Sequence, residues 1–148
     1  MKRFLLPLLI LIGIMGASAQ IRVTEINYNS DSTVNSSNWF EIHNHGSSPV
    51  SLNGWHVKKP NSAIYNLPNT AILAANAYRV MSDDTLRFHS IQPSVYNVVG
   101  NMPFVLGNTA DTILIYDNNN ALVQTVRYND LPRRLKGADG WGRTLEII

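Results

Sequence analysis

The amino-acid sequence predicts an all-β protein with the architecture of a sandwich or a barrel. Three observations support this prediction. Apolar residues come in short runs rich in Val, Ile, Tyr, Trp and Phe rather than at helical spacing. Clusters of Asn, Ser, Gly and Pro bound these runs. The runs also follow one another at short, regular intervals, which is typical of sandwiches and barrels.

Each strand is expected where one apolar run lies between two turn signals. The first two runs, IRVTEINY and NWFEIHN, are separated by the polar loop DSTVNSSN. The third run, VSLNGWHVK, contains Gly54, which indicates a bend or bulge ahead of Trp55. The later runs are bounded in the same way by Pro, Gly or Asn. Nine strands result, at residues 21–28, 38–44, 50–58, 63–67, 77–82, 103–106, 112–117, 121–128 and 144–148.

Two connections between these strands have their own sequence signals. Three asparagines at 118–120 predict a tight hairpin, because asparagine tolerates left-handed backbone angles. Asp117 precedes them, but the loop lacks the alternating carboxylates of a dedicated calcium site. The segment 83–101 is the least regular, and Pro93 interrupts any period. It is expected to be a long connection between the sheets, with room for a short helical turn at 85–89.

The first residues of the chain have the pattern of a secretory signal peptide. Two basic residues precede an apolar run at 4–15, and an Ala-Ser-Ala site ends at Ala19. We therefore expect residues 1–19 to be removed and residues 20–148 to form one domain. The apolar run is short for a membrane span, and the chain has no cysteine to carry a lipid. The expected location is secreted or periplasmic, without a membrane span or a lipoprotein anchor.

The charge balance of the chain excludes one class of function. The sequence contains 12 Lys and Arg against 10 Asp and Glu, and two of the basic residues, Lys2 and Arg3, belong to the predicted signal peptide. The remaining domain is therefore close to neutral. Strong nonspecific binders of polyanions carry a clear basic excess, so no nucleic-acid partner is expected. With no disulfide available, the apolar core has to stabilise the fold.

The histidines at 43 and 45 are candidate metal ligands. Glu41, His43 and His45 lie two residues apart, so on one strand all three would face the same side. A turn signal at 46–49 follows at once, which puts His45 where the strand ends. A zinc site needs three or four converging ligands. We therefore expect neither a metal site nor another cofactor.

Catalysis has little support in the sequence. There is no cysteine and no Gly-x-Ser-x-Gly motif for a nucleophile. Glu25 and Glu41 would form a carboxylate pair if their strands were neighbours, as in glycoside hydrolysis. The simpler interpretation is that these carboxylates are partly buried and paired with an arginine or with backbone amides. We expect no catalytic residue. The alternative is a small secreted hydrolase, metal-assisted or not, that uses Glu25 or Glu41 together with a nearby histidine.

The segment LPRRLKGADGWGR is the candidate surface for a partner. Its cations surround one tryptophan, and its glycines let the backbone approach a ligand. The alternative is a solvated loop in which Asp139 neutralises part of the charge. The candidate partner-binding residues are Arg133, Arg134, Lys136, Trp141 and Arg143.

A series of motifs along the chain resembles a known family. In order, the chain reads VTEINYN, NWFEIHNHGSSPVSLNGWHV, YNLPNTAILAANAYRVM, LGNTADTILIYDNNNALVQTVRYND and ADGWGRTLEI. This series resembles the lamin tail domain in the version found in secreted bacterial proteins, over residues 21–148. The resemblance implies an immunoglobulin-like β-sandwich with Greek-key connections and eight or nine strands. It also implies structural roles for Trp39, Glu41, Asn44, Gly54, Trp55, Asp139 and Gly140.

The resemblance implies interaction rather than chemistry. We expect a secreted, non-catalytic module for binding, adhesion or enzyme positioning, whose partner is an unknown protein or a cell-envelope glycan. It should be monomeric or self-associate weakly; a structural envelope component would self-associate. Where related domains often carry an aromatic residue and Asn-Pro, this chain has His43, Asn44 and His45. The expected core includes Ile26, Phe40, Ile42, Trp55, Val80, Ile113, Ile115, Val123 and Leu145.

Overall fold

A computed structural model of the protein describes residues 20–30, 35–129 and 144–147. The predicted signal peptide at 1–19 lies outside them. Within these ranges the chain forms eleven strands and one helix. They are β1 (Ile21–Asn27), β2 (Trp39–Asn44), β3 (Val50–Ser51), β4 (His56–Lys58), β5 (Tyr65–Asn66), β6 (Ile72–Leu73), β7 (Tyr78–Ser82), α1 (Thr85–Ile91), β8 (Val98–Gly100), β9 (Ala110–Tyr116), β10 (Leu122–Asn129) and β11 (Leu145–Glu146).

Two main sheets form the layers of a β-sandwich. The five-stranded sheet has the order β11-β1-β2-β7-β8, and the four-stranded sheet has the order β10-β9-β4-β5. Strands β3 and β6 form a small separate ladder. Neighbours are antiparallel except β7 and β8, which run parallel. Because β2 pairs with β7 and β4 pairs with β9, the chain crosses between the layers, as Greek-key sandwiches do.

A β-bulge in β1 sets which side chains face the core. Ile21 and Val23 point inward, and strict alternation would then put Ile26 outside. The register shifts between Val23 and Glu25, so one extra residue is inserted against β2. Thr24 and Glu25 therefore both lie on the outer side, and Ile26 returns to the core, where it is fully buried.

The core between the sheets contains most of the residues expected there. Tyr28 and Tyr128 stack within it, with ring centroids 4.7 Å apart. Val80 is buried, but in a different cluster, and Val123 and Leu145 are only partly buried at the margin of the core. The expected residues found in the main core are Ile26, Phe40, Ile42, Trp55, Ile113 and Ile115.

A second apolar cluster lies on the outer side of the five-stranded sheet. Trp39 and Val80 point away from the main core and are covered by Phe88 of α1. The rings of Trp39 and Phe88 meet edge to face, with centroids 5.7 Å apart. The side chain of Asp84 caps α1 by accepting a hydrogen bond from Arg87 N at 2.9 Å. The helix thus covers the Trp39 end of this outer side.

The predicted strand at 50–58 is wrong as a single element. It is two strands, β3 and β4, which belong to different sheets. Gly54 adopts a φ of 75°, a left-handed angle, in the turn between them. Trp55 N donates to Leu52 O at 3.1 Å and closes the turn.

Three further expectations differ from the structure. Residues 103–106 form no strand, although Phe104 and Leu106 are buried. The segment 83–101 does not itself cross between the layers, because it contains α1 and β8, and β8 still pairs within the five-stranded sheet. The two-residue strand β6 was not predicted. The expected helical turn at 85–89 is confirmed as the start of α1.

The asparagine hairpin is confirmed. Asn120 has a φ of 61°, the left-handed angle that its position in the turn requires. Asp117 is buried, and its Oδ1 accepts hydrogen bonds from Asn119 N and Ala121 N, both at 2.9 Å. The carboxylate therefore holds the turn between β9 and β10.

Candidate functional site

Among the described residues, no helix or further sheet packs on the outer side of the five-stranded sheet at the end away from α1. Across β1, β2 and β7, Glu25 lies opposite Glu41, and His43 lies opposite Tyr78. Side chains of directly opposed residues share one side of a sheet. The β-bulge adds Thr24 to the same side. We call this surface, made of Thr24, Glu25, Glu41, His43 and Tyr78, the open face.

The open face brings the two predicted carboxylates together. Thr24 Oγ1 donates to Glu41 Oε1 at 2.7 Å, and Thr144 Oγ1 donates to Glu25 Oε1. Burial raises the pKa of Glu41 above its usual value, and the charge of Glu25 raises it further. The Thr24 hydrogen bond and His43 oppose that shift. The strands of Glu25 and Glu41 are therefore neighbours, as the carboxylate-pair alternative requires.

An aromatic group adjoins the carboxylates on the open face. The His43 ring stacks on the Tyr78 ring, with centroids 4.0 Å apart and an angle of 14° between planes. Tyr78 keeps 49% of its surface exposed, whereas His43 is 9% exposed. The exposed ring of His45 approaches the His43 ring edge to face. Partial desolvation, His43 and Arg22 lower the pKa of His45.

Asn44 fixes the turn that follows β2. Its fully buried amide donates to Ser48 O at 2.9 Å, Leu73 O at 3.1 Å and Ala74 O at 3.0 Å. Its Oδ1 accepts from Gly46 N at 2.9 Å. Asn44 thereby joins the turn after β2 to the end of β6. The two histidines on either side of Asn44 are held in place by the same contacts.

The pattern of the fold and these residues agrees with one protein family. The family model of the Lamin Tail Domain matches residues 15–130, which is more than half of the chain. The chain belongs to the lamin tail domain family. Domains of this family are immunoglobulin-like and are generally not enzymes, which confirms the immunoglobulin-like fold expected from the resemblance. A comparison with curated proteins gives no match for this chain.

This lamin tail domain also has a polar depression where β2 begins and β7 ends. It has a volume of about 270 Å³ and is lined by Asn35, Ser37, Asn38, Asp83, Asp84, Arg87 and Val105. Ser37 has a φ of 71°, and its hydroxyl contacts Ser82 Oγ at 3.1 Å and Asp83 Oδ1. Asn38 N also donates to Asp83 Oδ1, at 3.0 Å. The carboxylate of Asp83 thus ties β2 to the end of β7.

The outer side of the four-stranded sheet has the opposite charge. His56 and Tyr116 stack there, with centroids 4.9 Å apart and planes 5° apart. Lys58 Nζ lies 5.4 Å from the centroid of the Tyr116 ring, and Arg127 is exposed on β10. On the open face the two carboxylates lie with one cation, Arg22 opposite His43, whereas the cations Lys58 and Arg127 lie on the outer side of the four-stranded sheet.

Several sequence-based expectations cannot be compared with this geometry. The candidate partner-binding residues Arg133, Arg134, Lys136, Trp141 and Arg143, together with the motif residues Asp139 and Gly140, lie outside the described residues. In the part of the chain that the structure describes, no three His, Cys, Asp or Glu side chains are placed to hold a metal ion. The same part contains no helix long and apolar enough to cross a membrane.

The sequence did not single out two residues of the open face. The position of Thr24 was not predicted, because the only sequence signal of the bulge is the spacing of Val23 and Ile26, which departs from strict alternation. Tyr78 was hidden because its position beside His43 depends on the register between β2 and β7, which the sequence alone does not give.

Proposed function

We propose that this lamin tail domain is a secreted, non-catalytic module for binding or adhesion, and that its partner docks on the open face. One observation carries the proposal: the half-exposed ring of Tyr78 is stacked on His43 beside the carboxylates of Glu25 and Glu41. The expected partner is a glycan or a protein of the cell envelope. The signal-peptide pattern of residues 1–19 supports secretion.

The chemistry of the open face suits a ligand with both apolar and hydroxyl surfaces. An aromatic ring offers a flat apolar area, and because Tyr78 is already stacked, it loses little freedom when a ligand binds. The oxygens of Glu25 and Glu41 accept hydrogen bonds from hydroxyl or amide groups. A sugar ring or an extended peptide presents both features. The face is also open on the sheet surface, which favours an extended ligand over an enclosed small molecule.

The proposal is tested by binding of the purified protein to cell-envelope fractions. Tyr78→Ala should weaken binding roughly tenfold or more, because it removes a stacking contact worth about 0.5–1.5 kcal/mol together with the area it buries. Glu41→Gln should weaken binding less. The matched control is Tyr96→Ala, which changes a tyrosine that is 88% exposed outside the open face. Equal binding by Tyr78→Ala and wild type would refute the assignment of this face.

The basic segment supplies a competing location for the partner. Changing Arg133 and Arg134 together to Ala is the corresponding variant. Loss of binding in that variant, with full binding by Tyr78→Ala, would place the partner at residues 133–143 and not on the open face.

A hydrolase remains the second candidate, because one observation favours it. Glu41, whose pKa is raised by burial, lies opposite Glu25 on the neighbouring strand, and glycosidases use a pair of carboxylates. The assay is release of new reducing ends from envelope polysaccharide. Activity lost in both Glu25→Gln and Glu41→Gln would establish the hydrolase; no activity in the wild type would leave the binding module.

A further inference from the structure

We propose that His43 and His45 form a two-histidine site for a divalent transition-metal ion, with Cu²⁺ as the preferred ion. The Nδ1 atoms of the two rings lie 3.2 Å apart. The absence of a metal site was expected from the sequence on the premise that His45 turns away after β2. Instead, its ring returns to His43 on the same outer side of the sheet. This inference does not depend on the partner proposed for the open face.

The distance between the two nitrogens fits a shared ion. Imidazole nitrogens bind such ions at about 2.0–2.1 Å, so nitrogens 3.2 Å apart would subtend roughly 100° at the metal, between square-planar and tetrahedral angles. The ring centroids are 4.2 Å apart, at an angle of 76° between planes. Without an ion the two Nδ1 atoms share one proton in a hydrogen bond, so an ion that binds both nitrogens replaces that proton.

Contacts already made by the fold hold both rings. The His43 ring stacks on Tyr78 and contacts the ring of His45, and His43 lies on β2, which pairs with a strand on each side. His45 N donates to Gln20 O at 2.8 Å, and the following turn is fixed by Asn44. Because the backbone is held on both sides of His45, little ordering is needed when an ion binds. His45 itself is exposed, which gives an ion access.

An unsatisfied oxygen lies against Gly46, the residue that follows His45. Among the described residues, Gln20 Oε1 is buried without a hydrogen-bond partner, and a Cβ on Gly46 would come within 1.9 Å of it. Buried polar atoms without a protein partner are uncommon, and ordered water or an ion often satisfies them.

The number of protein ligands decides which metal ion fits the site. Only two protein ligands are available among the described residues, because no third His, Cys, Asp or Glu is placed with them. That number falls short of a structural zinc site, which takes four. Copper(II) binds nitrogen ligands most tightly among the common divalent ions and accepts water at its other positions. The expected site is therefore exchangeable and does not hold the fold together.

The test is titration of Cu²⁺ into the purified chain without a histidine tag, followed by calorimetry and electron paramagnetic resonance. We expect one exchangeable equivalent per chain that binds ahead of any weaker sites, with two nitrogen ligands in the spectrum. His45→Ala should lower the affinity at least tenfold and leave one nitrogen ligand. Since His45 is exposed, this variant should keep the wild-type melting temperature without metal.

His56→Ala is the matched control. His56 also stacks on a tyrosine, Tyr116, but it has no second histidine beside it in the described chain. The control should bind Cu²⁺ like the wild type. Equal affinity in wild type and His45→Ala, or an equal loss in His56→Ala, would mean adventitious binding by single surface histidines and would overturn the proposal.

Discussion

A single inserted residue, Thr24, determines how Glu25 and Glu41 are placed on the open face. Both were recognised in the sequence as a possible pair, but they lie opposite each other only because the bulge at Thr24 changes the phase of β1. The same bulge brings the Thr24 hydroxyl to Glu41. The two carboxylates of the pair were therefore predictable from the sequence, but the hydrogen bond that lowers the pKa of Glu41 was not.

Glu41→Gln should stabilise the protein at neutral pH. The pKa of Glu41 is higher in the folded state than in the unfolded chain. The protonated carboxyl therefore gives its full stabilisation below the ordinary pKa of 4.5, and this stabilisation is lost as the pH rises through the folded pKa. At pH 7 the wild type therefore carries the cost of a partly buried charge. Glutamine removes that cost and still accepts the Thr24 hydrogen bond.

Thermal melts at pH 7 and pH 4 measure this effect. The melting temperature of Glu41→Gln should exceed that of wild type at pH 7, and the gap should shrink at pH 4. Glu146→Gln, which changes an exposed glutamate on the same sheet, is the control and should behave like wild type. A lower melting temperature for Glu41→Gln at pH 7 would show that ionised Glu41 stabilises the fold.

Trp55→Ala should cost about 3–5 kcal/mol of unfolding free energy through loss of buried area and cavity formation. Trp55 is buried in the main core between the two sheets. Denaturant unfolding measures the change, and Ile64→Ala, at an exposed isoleucine, is the control with an effect within about 0.5 kcal/mol. A loss below about 1 kcal/mol for Trp55→Ala would contradict the assigned core.

At the scale of elements, long strands were predictable and short ones were not. Strands β1, β2, β7, β9 and β10 follow from apolar runs bounded by turn residues, with ends that differ by one or two positions. The two-residue strand β6 carries no period that a sequence can reveal. The run at 103–106 was misread because buried apolar residues also occur in irregular backbone that covers a core.

Gly54→Ala tests the turn that divides the predicted strand at 50–58. Alanine at a φ of 75° is strained, and its Cβ would lie 3.1 Å from Asn118 Cβ in the neighbouring hairpin. We expect a loss of about 1–2 kcal/mol in unfolding free energy. Asn53→Ala, at the exposed preceding position, should change it by less than about 0.5 kcal/mol. Equal stability of the two variants would contradict the left-handed turn.

At the scale of the whole molecule, the two outer sides of the sandwich differ in charge. One presents Glu25 and Glu41 together with Arg22, and the other presents His56 and Lys58 at Tyr116 and Arg127 further along β10. The near-neutral net charge does not reveal this separation, because it does not say on which sheet each charged residue lies. The sandwich and its family were predictable from patterns spread over the chain. The location of a binding surface was not, because it depends on strand pairing.

The most direct test of the open face is to map the contact surface of a bound partner. Soluble glycan fragments of the cell envelope are titrated into isotope-labelled protein, and nuclear magnetic resonance shifts are followed for each residue. Docking on the open face predicts that the largest shifts occur at Glu41, His43 and Tyr78. Shifts confined to Lys58 and Tyr116, on the opposite side of the sandwich, would contradict it.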